Sequence, residues 1–180
     1  MNQKAPYKKL LTYKYALLIH YLVKIFIRRY LPGRENLRNR EQWDQAGRSG
    51  ARCIAEGAAQ GTSLKGYIKM LGVSRGSFEE LLEDVIVYAR EKKIPIWDRR
   101  DMRFRRYRIF IKENQPIPPY PPVPQDLEIF VNVLIDLLQR ENYLLDQQKR
   151  SLEEKHMKEG GFTEKLYKRR NDYRNKFRIK

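Results

Sequence analysis

The chain has 180 residues, of which 41% are hydrophobic and 33% charged, a composition that suits one helical domain with a buried core. Its 38 Lys and Arg against 22 Asp and Glu give a formal net charge of +16, so the expected partners are polyanions: RNA, DNA or an anionic membrane surface. A single cysteine, Cys53, and two histidines exclude an internal disulfide and a four-ligand zinc site, and we expect no metal, no cofactor and a cytoplasmic location.

The first predicted helix runs from Tyr7 to Tyr30, where apolar residues recur at helical spacing. Its apolar part, Tyr15 to Ile27, is interrupted by His20 and Lys24 and is shorter than the roughly 20 residues of a membrane span. No small-residue cleavage site follows, so neither a membrane span nor a signal peptide is expected here. The breakers in "LPGREN" end this helix.

The second and third predicted helices run from about Leu37 to Gln60 and from about Leu64 to Lys92. Glycine inside a helix costs about 1 kcal/mol relative to alanine, so the small residues of both helices predict a close contact in which they face each other. Between the helices, Gly61 is a predicted stop, and Thr62 or Ser63 a predicted N-cap. The small residues are Gly47, Gly50 and Gly57 in the second helix, and Gly72, Ser74, Gly76 and Ser77 in the third.

The next segment has a different composition. Asp98–Arg108 contains six arginines together with Phe104 and Tyr107, and could form a short helix. Six prolines between Pro116 and Pro124 predict a stiff, extended connector. A fourth long helix is predicted from near Asp126, continuing through "SLEEKHMKE" as a charged extension, and a basic, aromatic tail follows it.

Together these elements predict an all-α fold, an up-down four-helix bundle with an Arg/Pro-rich insertion before the last long helix and a basic C-terminal extension. The bundle is assigned to residues 1–150, with the insertion at about 95–125, and the basic suffix to residues 151–180.

The stretch "QWDQAGRSGARCIAEGAAQGTSLKGYIKMLGVSRGSFEELLE" resembles the signature of the 23S rRNA intervening-sequence protein family, which are small bacterial four-helix bundle proteins. The family pattern is roughly Q-x-x-R-A-x-x-S-x-x-x-N-I-A-E-G, followed after a break by G-S-x-x-E-L. Two positions depart from it: Gln45 replaces the usual Arg, and Cys53 the usual Asn. The matching residues are Gln42, Ala46, Ser49, Ile54, Ala55, Glu56 and Gly57, then Gly76, Ser77, Glu80 and Leu81.

The resemblance covers about Tyr7 to Lys92 and, more loosely, the fourth helix, while "GGFTEKLYKRR" is similar to the C-terminal suffix of one branch of these proteins. It implies the fold and no particular activity. Relatives resemble the accessory protein of diversity-generating retroelements, a basic bundle that binds nucleic acid and the reverse transcriptase. Relatives also tend to form ring-like homopentamers, so the resemblance implies a homo-oligomer, with five copies.

Two basic clusters are the candidate nucleic-acid-binding residues, because guanidinium groups pair with phosphates and aromatic rings can stack on unpaired bases. The alternatives are a solvated surface, or a tail that docks on a neighbouring subunit. The predicted binding residues are Arg99, Arg100, Arg103, Arg105, Arg106 and Arg108 in the first cluster, and Lys168, Arg169, Arg170 and Arg174 in the second, which also contains Tyr167, Tyr173 and Phe177.

The family-signature residues are interpreted as structural: Ser49, Glu56, Gly57, Gly76, Ser77 and Glu80. Glu56 and Glu80 could instead form a metal-assisted nuclease site, but a helix contact in which they accept hydrogen bonds is favoured, and no catalytic residue is assigned. Cys53 is interpreted as a buried space-filler.

The sequence therefore favours a non-enzymatic protein that binds nucleic acid, with RNA preferred over DNA through the resemblance alone. The alternative is a protein-interaction scaffold that docks a nucleic-acid-processing enzyme such as a reverse transcriptase.

Overall fold

Helices make up most of the chain that the structure describes. The computed structural model describes residues 6–60, 63–105, 107–108, 120 and 122–177. No strand occurs within these ranges, so the all-α prediction is confirmed for them. The α-helices are α1 (Leu11–Tyr30), α2 (Leu37–Ala59), α3 (Leu64–Glu91), α4 (Leu127–Glu159) and α5 (Phe162–Lys176), and there are two short 3₁₀ helices, Pro6–Lys9 and Met102–Phe104.

Polar side chains cap the first turns of α3 and α4. The Ser63 hydroxyl accepts a hydrogen bond from the backbone N–H of Gly66 at 3.0 Å, and the Asp126 carboxylate accepts one from Ile129 at 2.9 Å. Each cap satisfies a backbone donor that the helix itself leaves unpaired. The predicted N-cap at Ser63 is thus confirmed, while Gly61 and Thr62 lie outside the described residues.

The four long helices share one apolar core. α2 packs against α1 and α3, and α4 packs against the same two helices. At the centre, the ring of Phe26 stacks on Trp43 at 5.4 Å between centroids and meets Phe130 edge-on at 5.2 Å. Aromatic pairs of this geometry add to the stabilisation that comes from burying their area.

The predicted contact between small residues of α2 and α3 is found at Gly50; at Gly57 the neighbours on α3 are large, and Gly47 faces α1 instead. Gly50 lies against the ring of Phe78, and the Ser74 hydroxyl donates a hydrogen bond to the Gly50 carbonyl at 2.9 Å. A Cβ on Gly57 would come within 2.6 Å of the ring of Tyr67. The missing side chains of these glycines therefore allow aromatic rings of α3 to approach the backbone of α2. The space is filled mainly by these rings and not by small residues of α3.

The same prediction is wrong at Gly72 and Gly76. Both are exposed, and a Cβ built on either meets no atom within 4 Å. These glycines lie on the outer face of α3, so they carry the entropic cost of glycine in a helix without the compensation of a close contact.

One carboxyl group is buried inside the core. Glu141 of α4 is 0% exposed and lies one helical turn from Leu138 and from Leu145, and neither of its oxygens has a hydrogen-bond partner among the described residues. Burial raises the pKa of this carboxyl well above its ordinary value.

Beyond the core, α4 continues as an extension. The boundary predicted at residue 150 lies inside α4, which runs on to Glu159. The helix ends at Gly160, where φ is +69°. Positive φ is readily adopted only by glycine, so Gly160 ends α4 and allows α5 to begin at Phe162. Within the described ranges, no helix combines the length and hydropathy of a membrane span.

Candidate nucleic-acid interface

The arginine-rich segment is attached to the side of α4 by a buried tryptophan. Trp97 is 7% exposed; its indole Nε1 donates to Glu128 at 2.6 Å and its backbone N–H to the Asn132 side-chain oxygen at 2.8 Å. The Asn132 amide nitrogen in turn donates to the carbonyls of Pro95 and Glu128, each at 2.9 Å. Asn132 is fully buried, so the start of the segment has a fixed position on α4.

Arg103 and Arg108 are paired within the chain. Arg103 donates to Asp101 at 2.7 Å and to Glu128 at 3.0 Å, and its guanidinium carbon lies 3.8 Å from the ring centroid of Trp97. These hydrogen bonds lower the pKa of the Asp101 carboxyl below its ordinary value. Arg103 therefore links the arginine-rich segment to α4 through Glu128 and to Trp97.

Arg108, like Arg103, contacts both a carboxylate of α4 and an aromatic ring. It donates to Asp136 at 2.7 Å and lies 4.7 Å from the ring centroid of Phe104. Asp136 also pairs with Arg140 at 2.9 Å. Phe104 is 3% exposed, so it is not available to stack on a base.

The remaining described arginines of this cluster are unpaired. Arg99, Arg100 and Arg105 are exposed, and within the part of the chain that the structure describes none of their guanidinium groups has an ion-pair or hydrogen-bond partner. Arg106 lies outside the described residues. The predicted cluster thus contains three exposed cations without a described partner, on a backbone that the pairs of Arg103 and Arg108 help to fix.

The second predicted cluster lies on α5, a helix with no buried residue. Lys168, Arg169, Arg170 and Arg174 are all exposed, as are the aromatic rings of Tyr167 and Tyr173. None of these four cations forms an ion pair with a described carboxylate; the pair that Lys165 forms with Glu159, at 2.8 Å, joins α5 to the end of α4. Exposed cations next to exposed rings are an arrangement that single-stranded nucleic acid binders use.

Three of the six family-signature residues, Ser49, Ser77 and Glu80, line an open groove between α2 and α3. Ser49 and Ser77, whose hydroxyls are 3.3 Å apart, contribute to its wall together with Ala46 and Glu80. The groove has a volume of about 800 Å³. Its lining residues are Glu41, Gln42, Asp44, Gln45, Ala46, Ser49, Ser77, Glu80 and Asp84.

Glu56 and Glu80 do not share a site. Glu80 lines the groove beside Ala46, whereas Glu56 lies ten residues further along α2, about 15 Å away at the rise of an α-helix. Among the described residues, no group of three or more His, Cys, Asp and Glu side chains could hold a metal ion. The geometry thus gives the two-carboxylate nuclease hypothesis no support. The favoured helix contact is not found either, because both carboxylates are exposed and neither accepts a hydrogen bond among the described residues.

Cys53 lies in the interior, as predicted. Its thiol is 4.0 Å from the Ser49 hydroxyl, and burial raises the pKa of the thiol above its ordinary value. A thiol with a raised pKa is a poor nucleophile at neutral pH. These observations agree with the interpretation of Cys53 as a space-filler.

The sequence reasoning missed the residues that organise the arginine segment. Trp97, Glu128, Asn132 and Asp136 were not singled out, although the last three follow one another at four-residue spacing on α4. That spacing predicts one polar stripe on a helix. It is the signal that could have located the side of α4 to which the arginine-rich segment is attached.

Comparison with family models, with curated proteins and with solved structures finds no match to this chain. The class that the fold defines is an all-helical, bundle-like protein, and the relationship to the intervening-sequence family stays a prediction from the signature residues.

Proposed function

We propose that this protein is a non-enzymatic, cytoplasmic up-down four-helix bundle that binds nucleic acid, with RNA favoured, through phosphate contacts from two basic surfaces. It acts as a homo-oligomer, and the resemblance to the intervening-sequence family implies a pentamer. The observation that carries the binding proposal is the set of exposed, unpaired arginines Arg99, Arg100 and Arg105 on a segment fixed to α4. We also propose that residues of about 95–125 form an insertion into the bundle before α4, and that residues 151–180 form a basic extension after it.

A fixed base increases the effect of the exposed arginines. Hydrogen bonds from Trp97 and Asn132, together with the stacked and paired Arg103, limit the movement of the backbone that carries Arg99 and Arg100. Less conformational freedom is then lost when those side chains contact phosphates. No base-reading motif accompanies them, so affinity comes mainly from counterion release and falls steeply with salt.

The proposal is tested by fluorescence anisotropy with a labelled single-stranded RNA of about 20 nucleotides. Binding is measured at several salt concentrations between about 50 and 300 mM for the wild type and for the triple variant Arg99→Ser, Arg100→Ser, Arg105→Ser. Each lost phosphate contact lowers the slope of log affinity against log salt by about 0.7 on a single strand, so the triple variant lowers it by about 2.

A matched control removes three exposed arginines of α2: Arg38→Ser, Arg48→Ser and Arg52→Ser. This variant has the same net charge as the triple variant. We expect a smaller loss of slope, because these residues do not lie on the basic segment. Equal losses in both variants would show that overall charge, not this surface, determines binding, and a wild type with no measurable binding would refute the proposal.

A second candidate function is a scaffold that docks a nucleic-acid-processing enzyme such as a reverse transcriptase. The exposed apolar side chains of α5 favour it, since Phe162, Leu166 and Tyr173 are each more than half exposed and large apolar side chains mark interaction surfaces. A scaffold predicts that a partner protein remains bound after nuclease treatment, while a simple nucleic-acid binder is recovered alone.

A further inference from the structure

A small pocket lies between α3 and α4, next to the arginine-rich segment. Residues at helical spacing on each of the two helices form its walls, and Arg99 of the segment also lines it. Its volume of about 380 Å³ falls in the range of sites that hold small organic groups. The lining residues are Arg75, Glu79, Leu82, Arg99, Gln139, Asn142, Tyr143 and Asp146.

The formal charges of the lining residues cancel, because two arginines stand against two carboxylates. Arg75 of α3 donates to Glu79 at 2.8 Å, and its Nε lies 3.5 Å from Asp146 of α4. Glu79 also accepts a hydrogen bond from the Asn142 amide at 2.7 Å, so this network joins α3 to α4 at the pocket. A phosphate therefore gains little inside the pocket, whereas an uncharged ring meets no excess of either charge.

Two side chains of the pocket have the chemistry to hold a nucleobase. Tyr143 is 60% exposed, so a face of its ring is accessible for stacking. Asp146 is also partly exposed, and within the described ranges the 3.5 Å contact with Arg75 is its one ion pair. Its carboxylate can therefore accept a hydrogen bond from an amino group of a base.

We infer that this pocket binds one unpaired base of a single-stranded RNA whose phosphates lie along the exposed arginines, an inference that rests on the proposed function. The base stacks on Tyr143, and Asp146 accepts a hydrogen bond from its exocyclic amino group. Arg99, whose charge is uncompensated in the part of the chain that the structure describes, contacts the adjoining phosphate. Recognition of splayed-out bases by aromatic rings and by polar side chains is common in single-stranded RNA binding.

The pocket adds base discrimination to a surface that otherwise recognises charge alone. Phosphate contacts position a strand, and base contacts distinguish sequences. Cytosine presents an amino group where uracil presents a carbonyl oxygen, and the carbonyl oxygen would face the Asp146 carboxylate without a hydrogen between them. A strand that places cytosine in the pocket is therefore favoured over one that places uracil there.

The test compares two labelled single-stranded RNAs of about 20 nucleotides, one all cytidine and the other all uridine. The two strands carry the same number of phosphates and differ in the group that Asp146 contacts. Affinities for the full-length protein are measured by fluorescence anisotropy between about 100 and 300 mM salt, with circular dichroism as the check on folding.

We expect the wild type to bind the cytidine strand about fivefold or more tightly than the uridine strand, with the same salt slope for both. Asp146→Asn should remove most of this preference, because an asparagine amide can donate to the uracil carbonyl as well as accept from the cytosine amino group. The matched control Glu154→Gln removes the same charge at an exposed position of α4 and should keep the preference.

Tyr143→Ala should weaken binding of both strands by about tenfold, because stacking depends little on the identity of the base. The salt slope should stay unchanged in this variant, which distinguishes a lost base contact from a lost phosphate contact. Tyr143→Phe keeps the ring and should bind like the wild type. Since Tyr143 lies largely outside the core, neither variant should disturb the bundle.

Three results would overturn the inference: equal affinity of the wild type for the two strands, a preference that persists in Asp146→Asn, or unaltered affinity in Tyr143→Ala. Equal binding of both strands together with a lower salt slope in the triple arginine variant would leave the proposed function standing and exclude the base pocket. A wild type that binds neither strand would refute both.

Discussion

The buried carboxyl of Glu141 makes the stability of this protein depend on pH in a way that one substitution can isolate. Glu141 is fully buried on the core face of α4, and its two oxygens have no hydrogen-bond partner among the described residues. Burial raises the pKa of Tyr15 of α1 and the charge of Glu141 adds to this effect, so Tyr15 is a titratable neighbour of Glu141 across the core. The test variant is Glu141→Gln, which keeps the shape of the side chain and removes its titration.

The sign of the effect follows from the raised pKa. Below the ordinary pKa of glutamate the carboxyl is protonated in both states, and wild type and variant differ little. As pH rises, the unfolded chain loses this proton while the folded chain retains it, so the free energy of unfolding of the wild type falls. The fall is at most about 1.4 kcal/mol per pH unit, hence up to about 2.7 kcal/mol between pH 5 and 7, and it stops once the folded carboxyl ionises.

The assay is urea denaturation of both proteins at several pH values from about 4 to 8, with the difference in free energy of unfolding plotted against pH. Other titrating groups cancel in that difference. The control is Glu154→Gln, an exposed carboxyl on the same helix, which should change stability by less than about 0.5 kcal/mol. A Glu141→Gln difference that stays constant across the whole range would refute the argument, because it would mean that the carboxyl does not remain protonated in the fold.

Three further predictions follow from the packing. Gly50→Ala should lower the free energy of unfolding by about 1–3 kcal/mol, because the added methyl meets the ring of Phe78. Gly76→Ala, whose added methyl has no atom within 4 Å, should raise the free energy of unfolding by up to about 1 kcal/mol. Both are measured by thermal melts, and equal shifts in the two variants would contradict the difference in packing. Asn132→Ala should lower the free energy of unfolding by about 3 kcal/mol, since it leaves buried partners unpaired, and should expose the indole of Trp97 to a fluorescence quencher. Unchanged quenching would show that Asn132 does not hold Trp97 in place. Cys53 should react with a thiol reagent at pH 7 only at the rate of unfolding, and faster modification of the folded protein would show that the thiol is accessible.

The helices could be predicted from the sequence because their apolar residues repeat at helical spacing and their ends carry local signals. Predicted and observed bounds of the second and third helices differ by one residue at their C-terminal ends, Gln60 against Ala59 and Lys92 against Glu91. The first helix was predicted too long by four residues, because Tyr7–Lys9 form part of a 3₁₀ helix. Periodicity does not distinguish these two kinds of helix over a single turn.

The site could be predicted only in part, because pairing partners come from distant parts of the chain. A run of arginines in a sequence predicts positive charge, but not which guanidinium groups meet a carboxylate 25 or 28 residues away, as Arg103 and Arg108 do. Glu141 escaped notice for a related reason. It occupies a core position in the repeat between Leu138 and Leu145, but a charged residue type is assigned by default to the solvent face.

The arginine segment illustrates how one cluster can serve two purposes. Arg103 and Arg108 each combine a carboxylate with an aromatic face, so their charge is compensated within the chain and contributes little to the field that a phosphate meets. What they contribute is a fixed backbone for Arg99, Arg100 and Arg105, whose charges have no such compensation among the described residues. The salt dependence of binding should therefore follow the three exposed arginines, while removal of a paired arginine should first loosen the segment and only then weaken binding.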